Sequence, residues 1–132
     1  MNVSDAVSSP DSFAETAQDS GLTVTMHDHA EAVILEVGGE VDMFTVPLLR
    51  APVIKALRSR PPVLVLDLSA VRFLGSSGLA ILIEAQQLAG DHTRLRVVAD
   101  APATLRPLQV TGLDQQLALY PTRDDALPLR DN

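Results

Sequence analysis

Residues 63–88 read VLVLDLSAVRFLGSSGLAILIEAQQL, a hydrophobic run, a turn and a second hydrophobic run. Val63 to Leu66 are four apolar residues in a row behind Pro61 and Pro62 and ahead of Asp67, which predicts a short strand covered on both faces. Gly75 and Gly78 frame Ser76 and Ser77. Beyond them Leu79, Leu82, Ile83 and Gln86 recur at three- and four-residue spacing, and Ile81, Ala85 and Leu88 widen the stripe. This pattern predicts a helix with much of its surface covered. The two serines therefore stand where a buried strand passes into a buried helix.

That junction has its own chemistry. The first N–H groups of a helix lack intrahelical partners and carry about half a positive charge, so a serine there suits capping, and an added phosphate is stabilised.

On the C-terminal side, Arg94 to Ala99 predicts another strand. Ala101 to Val110 predicts a short helix disturbed by Pro107, Gly112 a turn, and Leu117 to Tyr120 a last strand. Thr122 with Asp125 three residues later offers a variant capping box for a final helical turn or two. On the N-terminal side, LTVTM (22–26) and AVILEV (32–37) are β-rich runs separated by the polar HDHAE, an antiparallel hairpin. Gly38 and Gly39 are expected to break the second strand. Thr45 and Pro47 then open a helix carrying Leu48, Leu49, Val53, Ile54 and Leu57, with Pro52 expected to bend or restart it.

The order is β-β-α-β-α-β-α-β-α. Alternation of strands and helices predicts an α/β fold: a single domain with a four- to five-stranded mixed sheet and about four packed helices. The domain is expected over residues 21–128, followed by a tail at 129–132. Residues 1–20, rich in Ser, Asp and Ala with Val3, Val7 and Phe13 in no sustained period, read as a disordered segment, because so little apolar surface does not offset ordering entropy.

Composition narrows the function. The 132 residues carry 10 Lys and Arg against 17 Asp and Glu, a formal charge of −7, which disfavours attraction to nucleic acid or anionic membrane. Cysteine is absent, so disulfides and thiolate metal sites are excluded. No signal-peptide pattern and no apolar run near the roughly 18 residues of a membrane helix is present; a cytoplasmic location is expected.

Three segments resemble the STAS domain family, and more narrowly the bacterial anti-sigma factor antagonists. GEVDMFTVPLL (39–49) is similar to a G-E-L/I-D segment that leads through a Thr into the first helix. LDLSAVRFLGSSGLAIL (66–82) is similar to the family's strand, D-S-S-G-L turn and helix. LRVVA (95–99) followed by PATLRPLQVTGL (102–113) is similar to its penultimate strand, helix and terminal T/S-G-L.

The resemblance implies a switch with no catalytic residue and no cofactor of its own. Ser76 would be phosphorylated by a partner that is both an anti-sigma factor and an ATP-dependent serine kinase, with Ser77 as the fallback acceptor. The unmodified protein would capture that kinase and free a sigma factor, the phosphorylated form would let go, and a serine phosphatase would reset it. The implied contact surface comprises Asp42, Thr45, Gly75, Ser76, Ser77, Gly78 and Leu79. In one respect the sequence departs from the family: Gly75 stands where the motif has Asp.

Each of these residues also has a plainer reading. Asp42 would bond nearby backbone N–H groups in a turn, Thr45 would cap a helix, Gly78 would permit close packing, and Asp67 would end the central strand. Two rival functions remain: a constitutive docking subunit of a stressosome-like scaffold or transporter, and a nucleotide-binding module at the same helix N-terminus. Other patterns are weaker. His27, Asp28, His29 and Glu31 read as hairpin polarity rather than metal ligands. GSSG falls one residue short of G-x-S-x-G, and neither a Walker loop nor G-x-G-x-x-G occurs.

Overall fold

A computed structural model of the protein describes residues 21–128; the sequence readings for 1–20 and 129–132 lie outside them. Five strands, β1 (Leu22–His29), β2 (Ala32–Val41), β3 (Val63–Leu74), β4 (Arg94–Val98) and β5 (Ala118–Tyr120), lie side by side in chain order. β1 and β2 form an antiparallel hairpin, and every later pairing is parallel. Each parallel step needs a crossover. The crossovers run through α1 (Val46–Arg58), α2 (Ser76–Ala89) and α3 (Pro102–Val110), the last followed by a 3₁₀ turn at Leu113–Gln115; α4 (Arg123–Ala126) follows β5. This is the mixed sheet and the element order read from the sequence.

The alternation of strand side chains divides the core in two. Leu35 and Val37 of β2, with Leu64, Leu66 and Leu68 of β3 and Val97 of β4, point to the face covered by Leu49 and Val53 of α1, Leu82 and Ala85 of α2, and Leu108 of α3. Ala32, Ile34, Val63, Val65 and Val98 point to the other face, where, among the described residues, the apolar cover comes from Ala126 of α4 with Tyr120 and Leu127. One side is thus fully roofed, the other over one end.

Four expectations are corrected by the structure. First, β3 is twelve residues long, not four. Its register against β2 slips twice, between Glu36 and Gly38 and between Gly39 and Glu40. After Leu68 the core-facing positions therefore fall at Val71 and Leu74, three apart rather than two, which hides the strand from a period-two reading. Asp67 accordingly lies inside the strand instead of ending it.

Second, Gly38 and Gly39 do not break β2, which continues to Val41. Gly39 sits at φ +100°, where a Cβ would lie 2.1 Å from the Gly21 carbonyl oxygen. The glycine there allows backbone contact between β2 and the start of β1. Third, α1 runs through Pro52 without restarting there. Fourth, the buried stripe of α2 is Gly78, Ile81, Leu82, Ala85 and Ala89, whereas Ile83, Gln86 and Leu88 are exposed.

Candidate partner-binding rim

β2 and β3 run parallel, so their C-terminal ends reach the same edge of the sheet. There Val41 pairs with Leu74, and the Gly75 N–H donates to the Val41 carbonyl at 2.9 Å. The loop 42–45 and the turn into α2 are therefore neighbours although some thirty residues separate them in sequence.

The 42–45 loop is held by reciprocal bonds. The Asp42 carboxylate accepts from the N–H of Phe44 at 2.9 Å and of Thr45 at 3.0 Å. The Thr45 hydroxyl accepts from the Asp42 N–H at 3.0 Å and donates to the Glu40 carbonyl at 2.7 Å. Thr45 is buried, and its hydroxyl does not cap α1 as expected. The Val46 and Leu48 N–H groups are taken by the Asp42 and Thr45 carbonyls, and Pro47 has no N–H to offer. The loop is braced from within, and its bracing lifts Met43 and Phe44 into solvent, 69% and 83% exposed.

Gly75 occupies the N-cap position of α2 in ordinary extended backbone, φ −88° and ψ −179°. Ser76 and Ser77 are thus the first and second helical residues, not the cap, and Gly78 and Leu79 donate back to the Gly75 carbonyl. Ser76 is exposed, Ser77 is half-buried, and among the described residues the Ser76 hydroxyl makes no hydrogen bond. Gly78 is buried: a Cβ there would lie 2.6 Å from both Leu74 Cδ1 and Val41 Cγ1. Its lack of a side chain lets the first turn of α2 lie on the strand ends, while Leu79 packs partly against the core. A Cβ on Gly75 would meet the Phe73 ring at 3.1 Å. Phe73 itself is 51% exposed.

The structure therefore brings together all seven residues singled out in the sequence, but sorts them. Ser76 is presented outward, with Ser77 and Asp42 half-covered beside it; Thr45 and Gly78 form the support beneath. Three exposed apolar side chains, Met43, Phe44 and Phe73, join them. Met43 and Phe44 fall inside the stretch Asp42 to Thr45 that the resemblance marks as rim, whereas Phe73 lies before the marked turn; being apolar in a polar loop or out of period with the strand was the available signal for all three.

A second polar group lies on the partly roofed face. Asp67, nearly fully buried, accepts from the Ser69 hydroxyl at 2.6 Å and N–H at 3.0 Å, and from Arg123 of α4. Arg123 also pairs with Glu36, which bonds His27. Burial pushes the Asp67 carboxyl up, but the Ser69 donors and the Arg123 guanidinium together hold it below the ordinary carboxylate range. Asp67 thus pins the C-terminal helix to the sheet. Among the described residues no group of three or more metal-ligating side chains occurs, and no helix is long and apolar enough to cross a membrane.

An α/β sheet of this order with a serine-bearing helix start at the β2–β3 edge defines a class, and comparison with known proteins names it: the family profile described as "Mlab, STAS domain" matches residues 13–121, and the chain belongs to the STAS domain family. Within it the chain is similar to the anti-sigma-F factor antagonist RsfB of Mycobacterium tuberculosis, 41% identical over 112 residues that cover 85% of this chain and 91% of that protein. It also resembles the crystal structure of an anti-sigma factor antagonist from Mycobacterium paratuberculosis, at 46% identity and a TM-score of 0.79, over 81% of this chain and 92% of that one. The anti-sigma factor antagonist SpoIIAA shares the fold at 18% identity and a TM-score of 0.65, over 79% of this chain and 92% of that one.

Proposed function

We propose that this protein is an anti-sigma factor antagonist whose rim binds an anti-sigma factor with serine kinase activity, frees a sigma factor, and is switched off by phosphorylation at Ser76. The observation that carries the proposal is an exposed serine hydroxyl, without a hydrogen bond among the described residues, at the first position of a fourteen-residue helix, on the edge that also presents Met43, Phe44 and Phe73. The similarity to RsfB over 85% of the chain supports it.

The chemistry follows from that position. A phosphoryl group on Ser76 adds roughly 1.5 to 2 negative charges and three acceptor oxygens. At the start of α2 it faces orphan N–H groups, so the fold accepts it. A partner surface that has closed over the apolar rim pays instead, because it must bury an unpaired charge. Binding is switched while folding is not, and a serine phosphatase restores the binding form.

Gly75 favours a second reading. Position 75, where the family motif has Asp, carries no side chain, and the Phe73 ring lies against the Gly75 backbone. On this reading the protein is a constitutive docking subunit that holds its partner whatever the state of Ser76.

A binding titration with anti-sigma kinases of the same genome separates the two, using the wild type, Ser76→Ala and Ser76→Asp, with intact mass measured after incubation with ATP. One phosphate on the wild type, none on Ser76→Ala, and at least a tenfold loss of affinity for Ser76→Asp (about 1.4 kcal/mol) establish the switch. Equal binding of all three without phosphate establishes the docking subunit.

A further inference from the structure

At the end of the helical layer remote from the rim, the last turns of α1 and α2 enclose a groove of about 430 Å³. Ile54, Leu57 and Leu88 form its apolar lining; Arg58, Arg60, His92 and Thr93 line it with polar groups, and its one carboxylate is that of Glu84. Arg50 also lines it but is ion-paired with Glu84, whereas among the described residues Arg58 and Arg60 are in no ion pair. Four of the ten cationic side chains of an acidic chain fall between positions 50 and 60. A cationic groove with an apolar floor fits an acidic segment carrying a few hydrophobic residues.

The chain itself contains such a segment. Residues 1–20 carry four carboxylates, Asp5, Asp11, Glu15 and Asp19, with no lysine or arginine, and include Val7 and Phe13. We propose that this N-terminal segment docks in the α1–α2 groove, with Phe13 on Ile54, Leu57 and Leu88 and its carboxylates on Arg58 and Arg60. The reach is sufficient. Gly21 is bonded to Glu40 near the start of α1, and the thirteen residues of α1 rise about 20 Å. The stretch from Phe13 to Gly21 spans up to about 26 Å. Tethering supplies an effective concentration on the order of millimolar, so a contact too weak to persist between separate molecules is populated within one chain. The inference does not depend on the role of Ser76.

The absence of native cysteine makes the test direct. A nitroxide on Ala14→Cys in the 132-residue chain should broaden the amide signals of Ile54, Leu57 and Leu88. Neutralising the four carboxylates (Asp5→Asn, Asp11→Asn, Glu15→Gln, Asp19→Asn), which alters no residue of the groove, should restore those signals, as should Arg58→Glu with Arg60→Glu. Unaltered signals in the groove overturn the proposal. So does broadening centred on Phe44 and Phe73, which places the segment on the rim, or broadening that arises only between a spin-labelled and an isotope-labelled molecule, which makes it a contact between copies.

Discussion

The carboxylate of Asp67 and the guanidinium of Arg123 meet through Nε at 2.9 Å and Nη2 at 2.8 Å, joining the middle of β3 to the first turn of α4 across 56 residues. The carboxylate is almost fully buried, while the guanidinium keeps about a third of its surface in water. Arg123→Ala removes the cation and leaves the anion covered. Ser69 still serves Asp67 and water reaches the site, so the cost falls below that of a fully buried pair, about 1 to 3 kcal/mol by urea denaturation at pH 7.

The same pair sets a pH dependence. The folded Asp67 carboxyl titrates below its unfolded counterpart, whose pKa is about 3.9. Its stabilisation is therefore complete above the unfolded value and is lost as pH falls through it toward the lower folded value. Stability of the wild type should drop between about pH 5 and pH 3. Arg123→Ala should show a shallower drop over that interval, because the opposing effect of burial remains while the cation is gone; an equal slope would exclude the pair as a source of the acid sensitivity.

Thr45 links the support of the rim to its surface. Thr45→Val keeps the shape but leaves the Asp42 N–H and the Glu40 carbonyl without their hydroxyl partner. A loss of about 1 to 2 kcal/mol is expected in thermal or chemical denaturation. Because the loop carries Phe44, partner affinity should fall as well, although Thr45 itself is buried.

Gly75 and Gly78 should respond oppositely to a side chain. Gly75→Asp meets the edge of an exposed ring, which can give way, and the Val41 carbonyl oxygen at an ordinary contact distance of 3.4 Å, in a backbone conformation open to any residue, so stability should change by less than about 1 kcal/mol. Gly78→Ala forces a methyl against Leu74 and Val41 and should cost about 1 to 3 kcal/mol. Differential scanning calorimetry of the two variants checks the contrast. If the switch operates, Gly75→Asp should also raise the rate of Ser76 phosphorylation.

Phe44 is the most exposed large apolar side chain of the rim. Phe44→Ala should leave the melting temperature unchanged and weaken partner binding by about tenfold, roughly 1.4 kcal/mol. Ser76→Asp should likewise melt with the wild type. A variant that loses binding only together with stability would place the contact elsewhere.

Element order and sheet type were legible in the chain because they follow from local periodicity, turn residues and the need for crossovers. Thr122 capping α4 through the Asp125 N–H at 3.1 Å is one such local feature read correctly. The site was half legible: the segments 39–49 and 66–82, which contain Met43, Phe44 and Phe73, were marked by their resemblance to a family, but the exposure of these three side chains was not. An apolar residue in a loop looks like any core residue until packing shows that nothing covers it.

By itself, then, the sequence determined which segments are strands and helices and in what order they follow. Only the tertiary structure decided that β3 continues to Leu74, because a strand's register is a property of its partner and the slips against β2 occur between chain segments about thirty residues apart. It alone gave Asp67 its counterion from α4 and set the 42–45 loop beside Ser76. Each of these depends on distances between residues far apart in sequence, which no local pattern encodes.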